Sequence, residues 1–431
     1  MGHRCADAGL PRAVRVSLAG INAARPERSL NTPREAMIIR PEVSQGAQSA
    51  SWAAIILVVA FGVAATAIVP QAVPVIRDIV KRFPESDAYA GWLISIPSAI
   101  CAFGALIAGI MVDRIGDRRM LLLGSGCVVL GDGGAYFANT VEQLILWRLV
   151  EGVGYLALAV GGATMLMRMT EGPRRKAALA LWSAHTPIGF ALSLAFITPL
   201  AGRGEAWRWS FAGHGAIVCV LAVLGWMTLR PVDVTGYRRG EGTRTVLKAV
   251  GAYRLGLSSL CCALLTGGFM AALPGGLASR FGTSMGYSAG IAILDLALNA
   301  FAALAVAAAL RRGLSMRLVA IGGSLIVALG WSVFFQAHSL SAAILSSAAF
   351  SASMGALNAL IWGLLPAVTP SPEASGATSG LVTQATYIGV LLGPPLVFAG
   401  VHDHSVLLSL LVGPGFTALL LLALPPQRSR T

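Results

Sequence analysis

Charge is scarce in this chain: only 12% of its 431 residues are Asp, Glu, Lys or Arg, against about 25% in an ordinary soluble domain. With 56% of the residues hydrophobic, a water-soluble fold would lack the polar groups to cover its own surface. Cysteine is sparse and unpatterned. The six cysteines are scattered, and the adjacent pair Cys261 and Cys262 lies inside an apolar run. No metal-ligand spacing results, so free thiols are expected, with no metal and no cofactor. No P-loop, nucleophile elbow or H-E-x-x-H occurs where it could act, which speaks against a nucleotide-powered pump in this chain and against an enzyme. Alternation of polar and apolar residues in segments of about ten is also missing, which excludes a membrane β-barrel.

What the chain does have is long apolar runs and 50 glycines, a residue commoner in membrane helices than in soluble ones. A span needs about 20 mostly apolar residues. On that basis the sequence predicts an all-α polytopic membrane protein with twelve spans, over 52–76, 90–112, 120–138, 143–167, 177–200, 209–229, 253–277, 286–310, 318–336, 341–365, 376–400 and 405–425. In a soluble protein the net charge of +13 would raise nucleic acid as a partner. Here the charge follows topology. With both termini cytoplasmic, 25 of the 32 Lys and Arg fall in the tails and inner loops and six in the outer loops. That bias predicts a multi-pass inner-membrane protein with cytoplasmic termini, whose partner is the bilayer and not nucleic acid.

Residues 1–51 carry seven arginines, several prolines and no apolar core with a cleavage site. They read as a disordered cytoplasmic tail and not as a signal peptide. Met37 lies closer to the first span and is an alternative start. The longest internal polar stretch, 230–252, separates six spans at 52–229 from six at 253–425, ahead of a short tail at 426–431. Two near-equal halves on a basic linker suggest a duplicated transporter, expected to act as a monomer.

Between spans two and three stands Gly109-Ile-Met-Val-Asp113-Arg114-Ile-Gly116-Asp117-Arg118-Arg119. It resembles motif A of the major facilitator superfamily, G-x-x-x-D-R-x-G-R-R/K. Asp117 departs from the pattern, standing where the family has a basic residue. The glycines permit a tight turn and close helix approach. Asp113 can accept from a neighbouring helix N-terminus or pair with a basic residue. The resemblance implies two six-helix bundles that rock about a central cavity, with Gly109, Asp113, Arg114, Gly116 and Arg118 forming a latch that holds the outward-open state. A plain positive-inside loop is the alternative.

In span four, Arg148-Leu-Val-Glu151-Gly152-Val-Gly154 resembles motif B of the same superfamily, R-x-x-x-G-x-G. Arg148 and Glu151 share a helix face. Folding the 3–4 connection as a hairpin brings Asp132 level with them. Ionisable residues at such depth are costly and point to function. They read either as a proton relay or anion site, or as a static ion pair that packs spans three and four. Asp295 lies roughly 14 Å deep in span eight, near the midplane where transporter sites occur. It is a substrate or proton candidate, or else a hydrogen-bonded neighbour of Asn299.

Span five reads Leu181-Trp-Ser-Ala-His185-Thr-Pro187-Ile-Gly189-Phe190. Only Pro187 and Gly189 echo the antiporter motif of the superfamily. With the Gly- and Pro-rich span eleven, this run is similar to the branch containing cyanate and nitroimidazole permeases. His185 is a coupling candidate, and Asn358, Gln71, Thr266 and Trp362 are pore-facing candidates. His402-Asp403-His404 reads as a solvated outer loop. The expected function is secondary transport of a small organic molecule, an anion being favoured by Arg148, with proton coupling. An exporter of a metabolite, drug or siderophore is the rival within transport, and a non-transporting receptor or sensor is the rival class.

Overall fold

The computed structural model describes residues 50–84, 90–231, 241–400 and 404–424. Residues 1–49 with Met37, residues 232–240 of the linker, His402 and Asp403, and the tail at 426–431 lie outside the described residues. Among the described residues every regular element is helical. The helices are α1 Trp52–Ala67, α2 Ile76–Arg82, α3 Ala90–Ile115, α4 Asp117–Phe137, α5 Val141–Met169, α6 Gly172–Ser183, α7 His185–Ile197, α8 Arg208–Thr228, α9 Glu241–Val246, α10 Val250–Phe281, α11 Met285–Arg311, α12 Met316–Gln336, α13 Leu340–Val368, α14 Ser375–Gly400 and α15 His404–Leu422.

Local chemistry sets several of these starts. Ser51, Thr140, Ser284 and Ser339 accept the N–H of the third residue on, at 3.2–3.3 Å, and so cap α1, α5, α11 and α13. Gly116 alone separates α3 from α4, and its φ of 90° is what a residue without Cβ tolerates there. Nine of the described helices are long and apolar enough to cross a membrane. The other three predicted spans correspond to α1, which is 16 residues long, and to α14 and α15. Phe103, Phe137, Phe196, Met227 and Phe301 project outward at 70–74% exposure, an apolar exterior suited to lipid and not to water.

Two predicted spans are broken. Span one was expected as one helix over 52–76, but α1 stops at Ala67 and a 3-10 turn follows at Pro70–Ala72. Pro70 and Pro74 bring no N–H to continue the ladder. The Ile68 N–H turns back to the Ala65 carbonyl, 3.3 Å away, and the Ala64 carbonyl is left to other donors. Span five breaks at Ala184, between α6 and α7. Pro187 lacks the N–H that would have met the Ser183 carbonyl one turn back.

Helices α4 and α5, α3 and α5, and α4 and α8 pack together in the first part of the chain. In the second part α10 packs on α14, and α13 on α11 and α12. The main joins between the two sets are α3 with α14 and α7 with α11. Glycine makes the first of these joins possible. A Cβ on Gly109 would stand 3.1 Å from Ala377 Cα and closer still to the Gly376 carbonyl, and one on Gly380 would stand 3.1 Å from Gly109 Cα. Gly376→Ala would drive a methyl into the backbone carbonyl of Gly109 and into the Asp113 carboxylate, which the Gly376 and Ala377 N–H groups hold in place. The expected outcome is a protein that inserts but no longer closes α3 on α14. Spin labels on these two helices should then report a longer separation than in the wild type.

Candidate functional site

The join between α3 and α14 carries a carboxylate. Asp113, in the last turn of α3, accepts from the N–H of Gly376 at 2.9 Å and of Ala377 at 3.0 Å, the first N–H groups of α14. Those groups have no partner inside their own helix, and the positive end of the helix dipole faces the anion. Arg168, in the last turn of α5, donates to Asp113 Oδ1 at 2.5 Å and lies 3.9 Å from Asp117 Oδ2. A carboxylate from one set of helices is thereby held by the backbone of the other. Arg118 takes no part in this grip. It donates to the Trp226 carbonyl at 2.7 Å and stacks over that indole. Arg114 is exposed beside the latch. Asp117 starts α4 and accepts from the Arg118 N–H at 2.7 Å.

Further ties join the two sets from the Asp113 end toward the middle. Gln384 Oε1 accepts from the Leu106 N–H at 3.2 Å, and the Tyr155 and Tyr387 hydroxyls meet. Asn358 of α13 donates to the Ser183 carbonyl at 2.8 Å. That carbonyl is the one Pro187 released, so a break in one set of helices is filled by an amide from the other. Asn358→Ala should weaken closure by about 0.5–2 kcal/mol, the usual range for a hydrogen bond between membrane helices. Pro187→Ala restores the missing N–H and should leave Asn358 without its acceptor. The double variant should therefore lose less closure than the two single effects combined, as distance measurements between labelled helices would show.

A second polar group lies inside the first set of helices. Arg148 is fully buried in α5 and pairs with Glu151. Its Nε donates to the Leu93 carbonyl at 2.9 Å and its Nη2 to the Ile68 carbonyl at 3.0 Å. The Leu93 acceptor is open because Pro97, four residues on, brings no N–H, and Ile68 lies in the break after α1. Asp132 does not pair with Arg148. Its Oδ2 lies 2.7 Å from His214 Nδ1, and its Oδ1 accepts from Gln71 at 3.1 Å. His214 Nε2 faces the Ala64 carbonyl at 2.9 Å. Gly131 beside Asp132 lies against Glu151, and Gly215 beside His214 lies against Asp132, so the two pairs sit together.

His214 was not among the sequence candidates; His185 was. The signal was available. His214 is six residues into α8 and Asp132 five from the end of α4, depths of roughly 8–9 Å at 1.5 Å per residue. His185 instead stacks on Trp182 at 4.2 Å, with Trp362 at 6.3 Å, and its nitrogens meet the Trp182 carbonyl and the Thr186 hydroxyl. Gln71 and Trp362, expected to face a pore, are buried in these two clusters. Thr266 bonds back to the Cys262 carbonyl at 2.8 Å. Asp295 is buried between α11 and α13 and bonds to Ser347, where Asn299 had been expected as its neighbour. Its Oδ2 and the Ser351 hydroxyl have no hydrogen-bond partner.

A sequence model of the Major Facilitator Superfamily matches residues 55–394. This chain belongs to the major facilitator superfamily. It is therefore a membrane transporter and not an enzyme. The probable nitrate/nitrite transporter NarK2 of Mycobacterium tuberculosis is 26% identical over 363 residues, 80% of this chain and 89% of that protein. The uncharacterized transporter EfpA of the same organism is 28% identical over 165 residues, a match that spans 38% of this chain and 30% of EfpA. The human organic anion transporter MFSD10 superposes with a TM-score of 0.71 at 14% identity, covering 86% of this chain and 99% of that one. The proton:xylose symporter XylE gives 0.71 at 13% identity, covering 86% and 94%. At such identities the superpositions speak to the fold alone.

Proposed function

We propose that this superfamily member is a secondary active transporter that carries a small organic molecule, preferentially an anion, across the inner membrane by alternating access, driven by protons. Both termini lie in the cytoplasm, and the bundles at 52–229 and 253–425 rock as monomer halves about the linker at 230–252. The observation that carries this reading is the Asp113 grip on the start of α14. It joins the two sets of helices through hydrogen bonds alone, so it can open and close without loss of either fold. With Asp113 on the cytoplasmic side, the conformation is closed to the cytoplasm. Buried carboxylates beside a basic group, as at Arg148, Glu151 and Asp132, are the equipment of proton relays in membrane transporters.

The names of NarK2 and MFSD10 favour an anion, and that of XylE favours proton coupling. The test is uptake of labelled small carboxylates, inorganic anions and sugars into proteoliposomes, with and without a pH gradient. Accumulation that follows the gradient is the expected result. Equilibration indifferent to the gradient would remove the proton from the reading, and no uptake of any compound would overturn it.

A further inference from the structure

Two acceptors confront the two ring nitrogens of His214. Asp132 Oδ2 lies 2.7 Å from Nδ1 and the Ala64 carbonyl 2.9 Å from Nε2. A carbonyl oxygen cannot donate, so Nε2 must carry a proton. The short contact at Nδ1 needs a second proton, placed either on the ring or on the carboxyl. Two hydrogen bonds therefore require two protons on the pair, one more than a neutral imidazole beside a carboxylate would hold.

Charge leads to the same count. The groups facing the pair are Glu151 and Arg148 from α5, with the Gln71 amide from the stretch after α1 and the Ser210 carbonyl on its own helix. Arg148 offsets one carboxylate. An uncompensated charge buried in a low-dielectric interior is costly, so the other needs a proton. Glu151, whose Oε1 has no partner, could hold it as well, and it is the two contacts at His214 that place it on the pair. Of the two, His214 is the more accessible, with 9% of its side chain exposed and none of the Asp132 side chain.

We infer that Asp132 and His214 form a proton-binding site, loaded in this conformation, whose unloading loosens the broken segment of α1. Removal of the proton to water leaves one hydrogen for two acceptors. Either Asp132 then faces a bare ring nitrogen or the Ala64 carbonyl loses its donor. The second outcome removes one of three ties at the end of α1, the others being the Ile68 carbonyl on Arg148 and Gln71 on Asp132, and so loosens the stretch from Ile68 to Val75. The use of this proton in transport rests on the proton-driven reading above; its location does not.

The location can be tested without a substrate. Full-length protein in lipid nanodiscs, with ring-15N histidine, is titrated by NMR, and the His214 signal is assigned by its loss in His214→Gln. Near neutral pH the expected result is a doubly protonated ring, or a carboxylic-acid infrared band that Asp132→Asn removes. A neutral ring with no such band would overturn the proposal. Amide exchange over 68–75 should rise as the signal titrates and should already be high in His214→Gln. Exchange that ignores the titration would overturn the link to α1. In proteoliposomes His214→Gln should lower gradient-driven accumulation by about tenfold or more while substrate exchange continues. A loaded pair in a carrier whose uptake ignores the gradient would keep the site and overturn the proton-driven reading instead.

Discussion

Asp113→Asn is expected to yield a protein that is made, inserts and folds, yet transports at least about tenfold more slowly. The amide keeps one acceptor oxygen where the carboxylate uses two, on the Gly376 and Ala377 N–H groups. It also loses the charge that meets the dipole of α14 and the Arg168 guanidinium. Coupling energies between conformational states are typically about 1–3 kcal/mol, or about 5–150-fold in population. Asp113 acts on two contacts at once and should reach the upper part of that range. Transport at the wild-type rate, or labelled α3 and α14 at unchanged separation, would show that the motif serves only as a topogenic loop. Arg168→Gln should give a smaller loss, since the backbone donors remain.

The second large effect is expected at Arg148. Arg148→Leu strands the Glu151 carboxylate in the interior, and breaking a buried pair costs about 3–5 kcal/mol. The Leu93 and Ile68 carbonyls are orphaned as well, at roughly 1–3 kcal/mol each. Solubilised protein should melt well below the wild type. Arg148→Lys keeps the charge but offers one nitrogen where Nε, Nη1 and Nη2 each reach a different acceptor, so it should fold better and still lose most transport. Because Glu151 is the paired carboxylate, the informative double variant is Arg148→Leu with Glu151→Leu, and not one with Asp132. It restores the charge balance and leaves the carbonyls open, so melting should recover only in part. Full recovery with wild-type transport would reduce Arg148 to an ion-pair partner.

Spans could be read from the sequence because hydrocarbon demands long apolar runs, and helix ends such as Ser51, Thr140, Ser284 and Ser339 carry their own caps. The breaks at Ile68 and Ala184 were harder to read. Apolar composition continues through both, and only proline positions mark them. Arg148 stood out as the basic residue inside a span. Its partners did not, because two of them are backbone carbonyls made available by Pro97 and by the end of α1, which no side-chain pattern records. Arg168 was counted among the loop charges, since it lies one residue short of the end of α5. His214 was overlooked because span six was read for hydrophobicity while polar residues in the neighbouring spans were matched by depth.

The buried polar group also bears on how the chain is made. Ribosomal synthesis delivers the helices in order, and a charged residue at mid-helix costs about 2.5–3.5 kcal/mol on entering the bilayer from the translocon. When α5 emerges, the carbonyls of Ile68 and Leu93 already exist, so Arg148 enters a prepared berth. Asp132 finds only the neutral Gln71 amide in place, because His214 follows 82 residues later. Until α8 arrives, α4 must wait beside the translocon or carry a neutral carboxyl. Nascent chains stopped before Arg208 should therefore stay associated with the insertion machinery, and chains extended past Thr228 should leave it.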